Sequence, residues 1–301
     1  MDFTTFDESI GTEAYFEYFR RLLFPQSTPN SINAAVFPIG VATYLSGTAF
    51  TRVRRVETTE DFEKFFRGNI SINDFFPPKP KSNKKISGRF NYHGDSVIYL
   101  ADSMETAIKE CNIQIGEYFL CSHLYLRKEM NFIQPGVDEE EGEFKKELAK
   151  LLRTKDRKYY PLITKIYDYL LQFHGISGVF YQSTRFIETE FLEKKSSTNL
   201  AINSSERKNI RLLGGWLLFL AGKESSTGNY ITNLQAFYKP LSEKKHNKLS
   251  MITFKDKVKF TQAIIEYEEL TKNKKIKVKR RIENGQYREI VEPLYNQVQR
   301  R

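Results

Sequence analysis

The sequence predicts an α+β protein in which several strands are separated by short helices. Three observations carry that reading. Thr51-Arg52-Val53-Arg54-Arg55-Val56 alternates branched and basic side chains, as a strand with one wet face does. The apolar run Val97 to Ala101, behind a glycine-marked turn, reads as a buried strand and leads straight into a helical pattern. Pro161 to Gly175 has the start and stop residues of a helix, and the strand-like Val179-Phe180-Tyr181 follows at once. With 301 residues and 40% hydrophobic content, the chain is long enough for one full core and an appendage.

The elements follow in order. Tyr15, Phe16, Tyr18, Phe19, Leu22 and Leu23 stand at helical spacing over residues 13 to 24, and β-like composition runs from Ile39 to Val56. Asp61 to Arg67 fits one or two helical turns, and the prolines of Phe76 to Lys81 forbid regular structure. Behind the Val97 to Ala101 strand, Asp102 and Glu105 have capping-box spacing, so a helix starts there with Met104, Ala107, Ile108 and Cys111 on its inner face. Tyr118 to Leu126 is a strand and Glu141 to Leu152 an amphipathic helix. Asn199 to Ile202 and Asn233 to Tyr238 are further strands. A helix is expected over Lys259 to Leu270, and Asn284-Gly285 signals a hairpin between Lys275 and Val291.

Composition narrows the function classes. The first residues, MDFTTFDESIGTEAYFEYF, lack the basic and apolar regions of a secretory signal, so a cytoplasmic location is expected. The longest apolar stretch, Leu212 to Ala221, is too short for a bilayer, which needs roughly 20 residues, so no membrane partner is expected. Cys111 and Cys121 make no disulfide framework and read as buried small side chains. The histidines at 93, 123, 174 and 246 lie far apart, and no metal is assigned. The formal charge of +10 is concentrated late: from Glu243 to Arg301 sixteen Lys or Arg stand against eight Asp or Glu. Nucleic acid held by this basic C-terminal region stays open but is not expected, since such a run is more often a solvated surface.

Four stations could carry chemistry: Arg52 on an early strand, Arg89 in a glycine turn with Tyr99 ten residues on, Glu110 on a helix, and Ser183 after a buried strand. Each has a plainer explanation. Arg52 fits a surface strand, Arg89 a braced turn, Tyr99 a core aromatic with its hydroxyl at the rim, and Ser183 a turn-former. Glu110 is hardest to explain that way, because a carboxylate beside an apolar helix stripe asks for a partner.

The string GRFNYHGDSVIYLADSMETAIKE, Gly88 to Glu110, resembles the core of the RES domain, a family named for its Arg, Glu and Ser. In that family a G-R-(W/F/A)-N-x-x-G turn precedes a Y-L-A strand and a T-A-(I/L)-x-E helix. Upstream, Ala49-Phe50-Thr51-Arg52-Val53-Arg54 is similar to the family's opening arginine strand, and downstream Gly178-Val179-Phe180-Tyr181-Gln182-Ser183-Thr184-Arg185 is similar to its serine strand. The three segments come in the family's order and cover about residues 46 to 205.

The resemblance implies an ADP-ribosyltransferase-like split β-sheet core with surrounding helices and a C-terminal basic extension. It divides the chain into an N-terminal helical segment packing on the core (1–45), a RES-like catalytic domain (46–205), and a C-terminal extension (206–301) that partly completes the core with a basic helix and hairpin. It implies NAD consumption by hydrolysis, phosphorolysis or ADP-ribosyl transfer, in a bacterial toxin or anti-phage effector. NAD is then a substrate, with no further cofactor, and a cognate antitoxin is the expected partner; homodimerisation stays open. Carried over position by position, Arg52 and Arg89 hold the pyrophosphate, Tyr99 packs on the nicotinamide ribose or ring, Ser183 hydrogen-bonds in the nicotinamide pocket, and Glu110 lies beside the scissile carbon. Catalysis falls to Glu110, Ser183 and Arg89. The family's aromatic beside the first arginine is replaced by Thr51 and Val53, so Arg54 is an alternative to Arg52. The asparagine that follows the serine strand is either Asn199 or Asn233.

Overall fold

Helical and alternating stretches fold as their periods require. The computed structural model describes residues 7–24, 40–77, 88–91, 96–134, 143–183, 185, 198–224, 228–238, 249–252, 276–283 and 286–293. Helix α1 (Gly11–Leu23) buries Tyr15, Phe16, Phe19 and Leu23 on one face. Burying each such side chain contributes on the order of 1.5–3 kcal/mol. They pack on α4 (Glu143–Arg153) and α5 (Tyr160–Leu171), in a cluster that includes Leu148, Leu151, Leu162, Ile163 and Ile166. Two shorter helices complete the set among the described residues, α2 (Thr59–Phe66) and α3 (Met104–Glu110).

The strands in chain order are β1 (Gly40–Tyr44), β2 (Ala49–Arg55), β3 (Val97–Ala101), β4 (Tyr118–Leu126), β5 (Met130–Gln134), β6 (Ile176–Gln182), β7 (Thr198–Asn203), β8 (Ile210–Glu224), β9 (Gly228–Tyr238), β10 (Ser250–Ile252), β11 (Ile276–Glu283) and β12 (Gln286–Pro293). Their spatial order is β10-β9-β8-β4-β2-β3-β7-β6-β5-β1-β12-β11. Among the described residues only the β5–β6 and β1–β12 ladders are parallel.

The sheet is nearly divided in its middle. β2 pairs with β4 along its whole length, from Ala49↔Tyr125 to Arg55↔Phe119, but meets β3 only at Thr51↔Ala101. The inner faces of both halves supply one core, including Phe50, Ile98, Leu100, Leu120, Phe132, Leu200 and Leu217. The outer face of the β2 half is covered by α3 through Ala107 and Ile108, against Val53, Phe119 and Leu218. The outer face of the β3 half carries α1, α4 and α5 over Val97, Val179 and Ala201.

Several expectations need adjusting. The N-cap of α3 is Ser103, whose hydroxyl accepts from Thr106 N–H at 3.1 Å; Asp102 instead accepts from Thr198 N–H at 2.9 Å and so ties the start of β7. The Leu212 to Ala221 run lies within the long strand β8, and its Gly215 serves close packing: a Cβ there would stand 2.3 Å from the Phe75 ring. β5 had no turn signal to mark it. Residues 1–45 supply β1 as well as α1, and residues 206–301 supply strands at both ends of the sheet, β8 beside β4 and β12 beside β1. β11 and β12 pair from Glu283↔Gln286, which leaves two residues between them. Asn284-Gly285 itself and the helix expected over Lys259 to Leu270 lie outside the described residues. Among the described residues no helix is long and apolar enough to cross a membrane.

Candidate active site

Where β2 and β3 part, a cleft of about 260 Å3 opens. Thr51, Arg52 and Val53 form one wall, Tyr99, Leu100 and Asn199 the other, and Arg89, Glu110 and Tyr181 close around them. Four of the five residues expected from the sequence, Arg52, Arg89, Tyr99 and Glu110, therefore meet at one place.

The Gly88 turn is built around Tyr99. The phenol oxygen accepts from Phe90 N–H at 3.1 Å and donates to Asn91 Oδ1 at 3.3 Å, so the β3 tyrosine pins the turn in front of it. A Cβ on Gly88 would lie 2.2 Å from Asn91 Oδ1, so any larger residue there would have to displace the amide that the Tyr99 hydroxyl holds. Burial pushes the Tyr99 phenol well up from its ordinary value, and the same cause, helped by Glu110, raises Tyr181. Both phenols are therefore neutral hydrogen-bonding groups near neutral pH.

Arg89 is braced by helix α4. Its Nη1 donates to Leu152 O at 2.8 Å and its Nη2 to Thr154 O at 3.1 Å, with the guanidinium 5.7 Å over the Tyr181 ring. Carbonyls at a helix end suit a cation, and they fix the direction of the fork. The bracing and the cleft-lining position coexist in one side chain.

Glu110 is the last residue of α3, at the end where a carboxylate gains nothing from the peptide dipoles. Its support comes from Asn199, whose Nδ2 donates to Oε1 at 2.9 Å from a site only 3% exposed. Asn199 sits opposite both Ala101 and Tyr181 in the β7 ladders, which aims it outward at α3. Of the two candidate asparagines, Asn199 reaches the cleft; Asn233 is exposed on β9. The signal for this choice is the strand register, a long-range property.

The first-strand arginine is also decided by geometry. Arg52 lines the cleft, whereas Arg54 donates to Asp74 O at 3.2 Å and lies 3.8 Å from Asp61. Alternation along β2 sends Thr51 and Val53 to the outer face with α3, and Arg52 to the inner face, where its Nη1 donates to Phe75 O at 3.3 Å. Arg52 thus approaches the cleft from the opposite side of the strand to Glu110.

The structure does not bring Ser183 to the cleft wall. It is buried at the end of β6, and its hydroxyl accepts from Arg185 N–H at 3.2 Å. The residue that reaches the cleft from this loop is Arg185, which the sequence did not single out. Cys111 lines the cleft too, its thiol donating to Val53 O at 3.1 Å and pushed up by burial, so it stays protonated. Among the described residues no group of three or more His, Cys, Asp or Glu gathers as a metal site.

The cleft therefore holds three guanidinium groups, Arg52, Arg89 and Arg185, around one carboxylate, Glu110. Fold and site together define an α+β protein with a cationic cleft where one mostly antiparallel sheet is nearly divided. The RES domain family model matches residues 53–212, more than half of the chain, and the protein belongs to the RES domain family. No curated protein and no solved structure matches it.

Proposed function

We propose that this protein consumes NAD by breaking the bond between nicotinamide and its ribose, on a core of the ADP-ribosyltransferase kind. The observation that carries the reading is Glu110, held by a buried asparagine in a cleft whose other charged side chains are all arginines. Membership in the RES domain family supports it.

The chemistry needs little more than this. When the C1′–N bond breaks, its electron pair leaves with nicotinamide, which departs neutral, so no acid is required to protonate it. The ribose acquires oxocarbenium character, and a carboxylate offsets that charge much as in glycosidases. Glu110 holds the ribose hydroxyl and faces the cation, while Asn199 keeps the carboxylate in place. A water oxygen then bonds to C1′ and sheds its proton to solvent. Arg52 and Arg89 hold the pyrophosphate so that the sugar stays in register with Glu110. Tyr99 packs beside the nicotinamide ribose, and Ser183 acts in this reading through the Arg185 loop that it tethers. A toxin or anti-phage effector kept in check by an antitoxin is the biological setting this activity fits.

The test is to incubate the purified chain with NAD labelled in its adenosine half and follow nicotinamide release. Free ADP-ribose marks hydrolysis, ADP-ribose 1-phosphate marks phosphorolysis, and label on protein marks transfer. Glu110→Gln, nearly isosteric, is expected to abolish nicotinamide release while unfolding at the wild-type temperature. Undiminished release in that variant refutes the assignment.

A further inference from the structure

Three arginines gather at one turn. Residues Ile72–Phe75 form a 3-10 turn that continues into Phe76. Arg52 donates to Phe75 O at 3.3 Å, Arg54 to Asp74 O at 3.2 Å, and Arg207 Nη2 to Asn73 Oδ1 at 3.1 Å, with the Arg207 guanidinium 3.0 Å over the Phe76 ring. Arg207 comes from the Ser204–Asn209 turn between β7 and β8, which belongs to none of the three sequence motifs.

The carboxylates near Arg52 and Arg207 are committed to other partners. Asp61 pairs with Arg54 at 3.8 Å, Asp74 with Lys64 at 3.2 Å and with the Ser71 N–H at 2.8 Å, and Glu206 with Lys128 at 3.3 Å. Arg52 and Arg207, both partly buried, form no ion pair with a carboxylate among the described residues. Burial lowers both guanidinium groups to about 10, with Arg54 adding to the effect on Arg52 and Arg52 adding to that on Arg207. Two partly desolvated cations that repel each other oppose folding unless an anion joins them.

We propose that Arg207 and Arg52 form an anion subsite that takes the diphosphate of the dinucleotide. Arg52 links the two regions, since it lines the cleft and shares the Ile72–Phe76 turn with Arg207. The inference rests on the NAD reading above and adds to it a substrate-binding residue from outside the family's motifs. Asn73 and Phe76 hold the Arg207 fork in place before the ligand arrives, which limits the entropy lost on binding.

ADP carries the diphosphate without the scissile bond, so its binding reads this subsite apart from catalysis. In calorimetric titration of the full chain, Arg207→Gln is expected to weaken ADP binding on the order of tenfold. The variant's affinity should also depend less steeply on salt than the wild type's. Its unfolding temperature should hold or rise, because the substitution relieves repulsion; a residue with a purely structural role would lower it. Arg207→Lys, which keeps the charge but loses the fork, should fall between the two in affinity. Equal ADP affinity in wild type and Arg207→Gln overturns the subsite while leaving the NAD reading intact, as does a loss of affinity matched by a fall in unfolding temperature in both variants. A wild-type chain that neither binds ADP nor releases nicotinamide overturns both.

Discussion

Replacing Asn199 by Asp exchanges an amide NH2 for an oxygen and hardly alters the side chain's shape, yet it reverses the electrostatics beside Glu110. The wild-type amide donates to Glu110 Oε1 at 2.9 Å from a nearly sealed position. The variant removes that donor and sets a second carboxylate at about the same distance. At an effective dielectric of about 20, two unit charges 2.9 Å apart repel by about 6 kcal/mol. The pair relieves this by sharing one proton and titrates as a unit. In the proposed reaction Glu110 must be charged, so the acid limb of the kcat/KM profile for nicotinamide release, followed from about pH 5 to about pH 9, should move upward by on the order of two units. Stability changes with the opposite sign. The folded pair binds a proton that the unfolded carboxyls release near pH 4, so the variant should be most stable in acid and lose stability as pH rises through the pair's titration. Asn199→Ala serves as the control: it removes the donor alone, worth about 1.5–3 kcal/mol, and should lower turnover and move the limb upward by less than Asn199→Asp does, since it adds no second carboxylate. Wild-type turnover with an unshifted profile in Asn199→Asp would refute the role given to this contact.

Arg89→Lys keeps the charge but cannot span the carbonyls of Leu152 and Thr154, so a loss of roughly 1–3 kcal/mol of stability should accompany a raised KM for NAD. Urea unfolding and steady-state kinetics read the two effects, and an unchanged urea midpoint counts against the bracing role. Asp74 is pushed up by burial, but the Ser71 N–H and hydroxyl together with Lys64 outweigh that and hold its carboxyl below the ordinary 3.8. Its contribution is fully present above that value and fades as pH falls through the lowered one, so Asp74→Asn should destabilise the protein at neutral pH and much less at about pH 2. Equal destabilisation at both pH values removes the ionic explanation.

What was legible in the sequence was local. Val97–Ala101 and Tyr118–Leu126 have the strand bounds their composition indicates, because a buried run and an alternating run each declare themselves within a few residues. Arg89, Tyr99 and Glu110 fall within one stretch of chain whose turn, strand and helix position them. The remainder depended on pairing across long separations. Asn199 could not be separated from Asn233 until the β6–β7 register set it opposite Tyr181, and Arg207 shares the Ile72–Phe76 turn with Arg52 only because β7 and β2 belong to neighbouring parts of the sheet. Ser183 shows the converse: its place in the chain was clear, but the direction of its hydroxyl is set by the loop that follows. The α3 cap moved from Asp102 to Ser103 because Asp102 is occupied by the Thr198 N–H, a partner far away in sequence.

The lone bridge between Thr51 and Ala101 makes the seam a fulcrum. On either side of it the aperture is gauged by interior volume, because Phe50 and Leu100 fill the space between the two jaws while Leu100 also borders the opening. Trimming or enlarging such apolar residues is expected to change the gape while leaving the ladders elsewhere in place. Tolerance for a bulkier or slimmer ligand is thereby adjustable from inside the molecule, at positions that take no part in the chemistry.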